Sequence, residues 1–315
     1  MKYRSIWKFM IVLASIAIVS IAAADSPKKT LLYSDDFLDI SGGTLVSPLS
    51  LSVSPDGRAV LYSTLTIDVK PTAKSEAKIY SIDSSGMGGY PRVVAEGKDA
   101  MWSPDGEKIV YDGTEEGLLS YTDPKTGLDT SFDLDIYVMD ASGNKNAYPM
   151  QGNQINPRWS PDGEKIAYMG SRFGSTIIYV MDADGTNIST LLDDPLVQST
   201  PLWSPDGTRI AFSSNRTGNP EIYTMNINGT ELTQLTNNMI DDRIKDWSLD
   251  GEKILFESGD FLCTMNPDGT EKEILVDVRS TMGAAFSPNR DAIYYTVLGG
   301  EEDDPNFWGI YKLEL

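Results

Sequence analysis

One ten-residue pattern occurs six times in this chain, and a chain that repeats one short unit has few ways to fold. The copies are VSPDGRAVLY from Val53, WSPDGEKIVY from Trp102, WSPDGEKIAY from Trp159, WSPDGTRIAF from Trp203, WSLDGEKILF from Trp247 and FSPNRDAIYY from Phe286. Each opens on a large apolar residue. A β-branched aliphatic follows seven positions on (Val60, Ile109, Ile166, Ile210, Ile254, Ile293), and an aromatic nine positions on (Tyr62, Tyr111, Tyr168, Phe212, Phe256, Tyr295). The last two are one period-2 step apart and share a strand face. Pro-Asp-Gly between the apolar runs is turn chemistry: Pro presets φ, Asp bonds the backbone ahead of it, and Gly accepts positive φ. Each copy reads as a β-hairpin.

A second signature trails each hairpin as a third strand: IYSID from Ile79, IYVMD from Ile136 and Ile178, IYTMN from Ile222, LCTMN from Leu262 and IYKLE from Ile310. In the first five units a Gly-containing turn and a fourth apolar run follow. Four antiparallel strands recurring at intervals of 49, 57, 44, 44 and 39 residues fit the blades of a β-propeller. The expected fold is therefore all-β, a six-bladed propeller of four-stranded antiparallel blades. The sixth unit ends on its third strand, while Lys29-Thr30-Leu31-Leu32-Tyr33-Ser34 precedes the first hairpin. Residues 30–34 are thus expected to complete the last blade, closing the ring and removing an open edge.

Residues 1–24 differ in kind. Lys2, Arg4 and Lys8 precede an apolar run from Phe9 to Ala24 ending in Ala22-Ala23-Ala24, the pattern of an export signal or of an uncleaved N-terminal anchor. The expected layout is a signal peptide or anchor over 1–24 and one propeller domain over 25–315, in an exported protein of periplasm, cell surface or medium. Cleavage after Ala24 would take the formal charge from −20 to −23. Nucleic acid and anionic membrane surfaces suit such a chain poorly; basic partners and cations suit it better. Cys263 stands where other third strands carry Tyr and is expected to be a buried strand residue. A lone cysteine offers no internal disulfide.

The chain contains no histidine. Histidine acid-base catalysis, Ser-His-Asp and Cys-His nucleophiles and imidazole metal sites are excluded. No G-x-S-x-G elbow, phosphate loop or C-x-x-C pair occurs, and no metal or cofactor is expected. Asp182-Ala183-Asp184-Gly185 has the opening of a calcium loop but reads better as a hairpin turn. Carboxylate pairs remain a possible acid and base, leaving a carbohydrate-active enzyme or glycan binder as the alternative function.

Antiparallel geometry sends the short, uniform turns to one end of the propeller. The long 2-to-3 and inter-blade connections go to the other, and variable loops on a rigid scaffold commonly carry binding. The longest, Asp112 to Asp135 in blade 2, is either a local hairpin, an irregular segment or a binding loop; Tyr121 and Phe132 are its candidate contact residues. Inter-blade runs lead to the innermost strands, so Gln154, Asn156, Arg158, Gln198, Asp241, Asp242, Arg243, Lys245, Asp246 and Arg279 are candidates for the mouth of the central channel. Their mixed charge suits a peptide, a glycan or another polar ligand. The leading tryptophans are expected to pack between blades. Three N-x-[ST] sequons start at Asn187, Asn215 and Asn228.

The repeat WSPDG-x-x-I-A-[YF], followed by IYVMD-x-D-G and an apolar strand, resembles the WD40-like repeat of the TolB-type six-bladed propellers over residues 47–315. That resemblance implies the fold and, by analogy, a monomeric non-catalytic scaffold that binds a protein, peptide or envelope component through its long-loop face. TolB-type proteins carry an α/β domain before the propeller, and nothing of that size lies between Ala24 and Val53. The hydrolase domain of prolyl oligopeptidase relatives and the histidine metal ligands of related lyases are likewise not found.

Overall fold

The computed structural model describes residues 28–36, 38–39, 44–68, 74–85, 90–115, 118–122, 129–131, 133–150, 152–172, 175–193, 199–278, 281–298 and 307–315. They form six antiparallel sheets. Blade 1 comprises Thr44–Val53, Ala59–Asp68, Lys74–Asp83 and Arg92–Glu96; blade 2 Lys98–Trp102, Lys108–Gly113, Asp135–Asp140 and Lys145–Tyr148. Blade 3 is Gln154–Trp159, Lys165–Arg172, Ser175–Asp182 and Ser189–Asp193, and blade 4 is Leu202–Trp203, Arg209–Ser214, Glu221–Asn226 and Thr233–Gln234. Blade 5 is Asp242–Trp247, Ile254–Ser258, Phe261–Met265 and Glu273–Asp277. Blade 6 takes Ala284–Phe286, Ala292–Leu298 and Phe307–Glu314, and its outer strand is Lys29–Asp36, paired antiparallel with Thr30 opposite Lys312 and Ser34 opposite Gly309. The ring is closed by the N-terminal strand, as the repeat arithmetic requires.

Five of the six hairpins are locked by their own Ser-x-Asp-Gly turn. The Ser hydroxyl donates to the Asp carboxylate (Ser160 Oγ to Asp162 Oδ1, 2.5 Å) and accepts from the backbone five residues on (Lys165 N, 2.8 Å). Ser54, Ser103, Ser204 and Ser248 repeat this arrangement. The turn glycine is left-handed in five copies, Gly163 at φ 73° for example, where a Cβ is disfavoured. In the sixth copy Arg290 holds that conformation at φ 56° and reaches back to Asp250 (2.6 Å) and Glu252 (2.9 Å) of blade 5.

Within a blade the hairpin aromatic stacks on the Tyr of the third strand: Tyr62 on Tyr80, Tyr111 on Tyr137, Tyr168 on Tyr179, Phe212 on Tyr223 and Tyr295 on Tyr311, with centroids 5.2 to 5.9 Å apart. They sit directly opposite in register, where cross-strand aromatic pairs stabilise a sheet. In blade 5 the pair is Phe256 and the buried Cys263. Between blades the core is continuous: Ala167, Met169, Ile178 and Val180 of blade 3 pack on Trp203, Ile210, Phe212 and Met225 of blade 4. The leading tryptophans Trp159, Trp203 and Trp247 are buried in such seams.

The long blade 2 connection contains a hairpin, Leu118–Thr122 with Asp129–Ser131, whose first strand pairs with Lys74–Glu76 of blade 1. It extends the edge of blade 1 and ties two blades together, a structural use of a loop singled out for binding. Among the described residues no helix is long and apolar enough to cross a membrane.

Candidate functional site

The channel is lined by the innermost strand of each blade. In its half next to the Pro-Asp-Gly turns lies a cavity of about 260 Å3. The walls carry Trp102, Trp159, Trp203, Trp247 and Phe286, with Pro55, Pro104, Pro161, Pro205, Leu249 and Pro288 at the turns. The residue before each leading apolar residue also faces it: Ser52, Met101, Arg158, Leu202, Asp246 and Ala285.

This position varies chemically from copy to copy, and through Arg158 and Asp246 it brings charge to the channel. Arg158 donates from Nη1 to the carbonyls of Pro157 (2.8 Å) and Asp99 (3.2 Å), while Trp203 Nε1 donates to the Arg158 carbonyl at 3.1 Å. Burial holds its guanidinium below its ordinary pKa, against the pull of Asp99, Asp112 and Asp246. Asp246 accepts from the backbone N–H groups of Phe286 and Trp247, both at 2.8 Å. Burial pushes its pKa up to about 6 although those bonds and Arg158 act the other way. Lys245 is neutralised by Glu257 at 2.8 Å and donates to the Thr281 carbonyl at 2.7 Å.

A second polar group holds the neighbouring wall. Lys98 bridges Asp99 and Asp112, each at 2.8 Å. Burial pulls Lys98 down, but the two carboxylates outweigh it and hold the ammonium above its ordinary value. Burial pushes the Asp112 carboxyl above its ordinary value against the pull of Lys98. Asn156, at φ 55°, donates its backbone N–H to Asp112 Oδ1 at 3.0 Å.

Of the residues selected from the sequence, Arg158, Lys245 and Asp246 line the cavity together. Asp241 and Arg243 form a half-exposed ion pair at 2.8 Å where the strand enters. Gln154 and Asp242 are buried in the seams behind the channel wall, Gln154 donating to the Gly152 carbonyl and Asp242 accepting from Asn238. Tyr121 lies in the strand docked on blade 1. Phe132, Gln198 and Arg279 lie outside the described residues. Sequence reasoning passed over Lys98, Asp99, Asp112 and Glu257, and treated the tryptophans as packing alone. Comparing the copies finds the missed wall: the position after the hairpin aromatic reads Ser63, Asp112, Met169, Ser213, Glu257 and Thr296. Among the described residues no three Cys, Asp or Glu side chains converge as a metal site.

Residues 130–305 match the family model described as the TolB beta propeller domain, PD40. Among solved structures, a putative TolB from Agrobacterium tumefaciens superposes with a TM-score of 0.61 at 22% identity, covering 85% of this chain and 91% of that one. TolB from Acinetobacter baumannii gives 0.62 at 20% identity, covering 89% of this chain and 65% of that one. An uncharacterized protein of Agrobacterium fabrum, Atu1656, is 29% identical over 146 residues, which span 45% of this chain and 42% of that relative. With six blades in place and more than half of its length matched, the chain belongs to the TolB β-propeller (PD40) family.

Proposed function

We propose that this protein is an exported, non-catalytic propeller that binds an extended segment of a cell-envelope protein or peptide, with an acidic group of that segment seated on Arg158 in the channel. The observation that carries this reading is the Arg158 guanidinium, set in an aromatic-walled cavity where its hydrogen bonds among the described residues go to carbonyls, with the carboxylates of Asp99, Asp112 and Asp246 acting on it without a hydrogen bond. Asp246 and Lys245 are both satisfied by fixed neighbours. Arg pairs best with a carboxylate, in a bidentate fork that neutral carbonyls do not match. The turn prolines and Leu249 give the cavity an apolar rim against which such a segment can lie. The reading moves the binding end from the long loops to the short turns.

Export rests on residues 1–24, and a single propeller domain over 25–315 follows from the repeats; an uncleaved segment would tether the protein to the membrane. N-terminal sequencing of the exported protein should begin at Asp25. The expected absence of nucleic-acid binding rests on the formal charge of −20.

A photo-crosslinking residue at Ser52, on the cavity wall, tests the site against one at Lys145, on an outer strand. The expected result is a discrete product with an envelope protein from position 52 alone. Products of the same size and yield from both positions would overturn the channel assignment. A glycan in the channel is the second reading, favoured by the tryptophan walls and by Asp246; retention of an oligosaccharide that competes with the crosslink would establish it.

A further inference from the structure

At the seam between blades 4 and 5, away from the channel, two buried carboxylates face a common neighbour. Glu221 and Asp242 are each 1% exposed. Asn238, in the connection between the blades, donates its backbone N–H to Glu221 Oε1 at 2.6 Å and its amide to Asp242 Oδ2 at 2.8 Å. Asn219 adds a bond to Glu221 Oε1 at 3.3 Å. The other oxygens, Glu221 Oε2 and Asp242 Oδ1, are buried without a hydrogen-bond partner.

Such an arrangement is costly, because a buried carboxylate must be met by a proton, a cation or a full set of donors. The donors here are neutral, the amides of Asn219 and Asn238 and the Ser258 hydroxyl on Asp242, and they leave the charge in place. Ser258 and Lys272 draw the Asp242 pKa down, but burial and Glu221 outweigh them. The fold does not demand two acids. At the seam between blades 2 and 3, Gln154 N bonds the Leu134 carbonyl just as Asp242 N bonds the Pro220 carbonyl, both at 2.8 Å. There the corresponding pair is Asp135 and Gln154, one acid and one amide. Blades 4 and 5 carry a second negative charge that their sister seam does without.

We propose that Glu221 and Asp242 bind a divalent cation of the calcium type at this seam. Every candidate ligand is a hard oxygen: the two carboxylate oxygens, the Asn238 amide oxygen, which accepts one bond from Ile240 N at 2.6 Å, and the Ile240 carbonyl, which accepts one from Asn219 at 2.8 Å, each with a second lone pair to offer. Calcium accepts such mixed sets and completes them with water. The cation would fix the connection from Asn237 to Asp241, whose Met239 is 93% exposed, to both blades at once.

The test uses the chain from Asp25 onward, freed of metal by a chelator and held in 150 mM salt so that diffuse binding to an acidic surface is screened. Titration with calcium chloride by calorimetry should give one site. Saturation should raise the melting temperature by about 5 °C. Glu221→Gln and Asp242→Asn should each abolish the heat and the shift, whereas Asp184→Asn, in an exposed turn, should keep both. Metal-free Glu221→Gln should melt no lower than metal-free wild type, which separates loss of the site from loss of the fold. Absence of a calcium effect on wild type, or a full effect on Glu221→Gln, would overturn the proposal. Stabilisation of metal-free wild type on acidification, with none from calcium, would overturn it too and assign the pair a shared proton.

Discussion

The carboxylate of Asp112 accepts a hydrogen bond from the backbone N–H of Asn156 at 3.0 Å, across 44 residues of sequence. The same relationship recurs one blade at a time. Ser213 receives Ile244 N at 2.9 Å, Glu257 receives Thr281 N at 3.4 Å and Ser63 receives Asp99 N at 3.3 Å. In blades 1, 2, 4 and 5 the residue after the hairpin aromatic therefore fastens the next blade. Asp112→Ala would leave both the Asn156 N–H and a share of the Lys98 charge unmet, and should destabilise the protein by about 3 kcal/mol. Asp112→Asn, which keeps an acceptor, should cost less. Denaturant midpoints of the two variants check this.

The turn lock makes a parallel prediction. Ser160 is 2% exposed and carries the Lys165 N–H, so Ser160→Ala should cost about 1–3 kcal/mol, the price of an unmade buried bond. Glu164→Ala, on the exposed side of the same turn, should fall within about 0.5 kcal/mol of wild type.

Asp246 gives a pH dependence. Its pKa is raised to about 6 on burial, from an ordinary 3.8. It therefore holds its proton more tightly in the native state than in the unfolded chain. Its contribution to stability is complete below its ordinary value and is lost as pH rises through about 6. Melting temperatures of wild type and Asp246→Asn, taken from pH 4 to pH 7, should show the wild-type margin shrinking over that interval. A constant margin would contradict the burial of this carboxyl.

Cys263 reports unfolding. Burial pushes its thiol up to about 12 and it is 5% exposed, so the thiolate nucleophile is scarce in the native state. A disulfide reagent at pH 8 should leave the folded protein unmodified and react fully in denaturant. Fast modification under native conditions would show that the blade 5 seam opens.

The strand Lys29–Asp36 holds the ring shut through its pairing with Phe307–Glu314 and the approach of Lys29 Nζ to the Tyr311 ring at 4.1 Å. Deleting residues through Asp36 should expose the edge of blade 6 and replace a single sharp thermal transition with a broad one accompanied by association. Light scattering during the melt distinguishes these outcomes.

The repeat makes most of this architecture legible. Hairpins, third strands, the closing strand and the burial of Cys263 all follow from comparing six copies. The channel was legible only in part, and the reason is local. A bulge between Ile244 and Asp246 breaks the alternation of the blade 5 inner strand, so Lys245 and Asp246 both reach the cavity while Asp242 turns into the seam. The inner strand of blade 3 has a matching irregularity between Ile155 and Arg158, which separates Gln154 from Arg158 in the same way. Strict period-2 reading fails at a bulge. The docking of the blade 2 hairpin on Lys74–Glu76 was hidden for another reason: edge pairing between distant segments leaves no periodic trace in either.

The central claim is tested most directly by retention of envelope proteins on immobilised wild type and Arg158→Gln, after their melting temperatures have been matched. Removing one partner of a desolvated Arg–carboxylate pair costs about 2–5 kcal/mol, so a true channel ligand should be held at least ~30-fold more weakly by the variant. Equal retention of every envelope protein by the two forms would contradict a binding site built on Arg158.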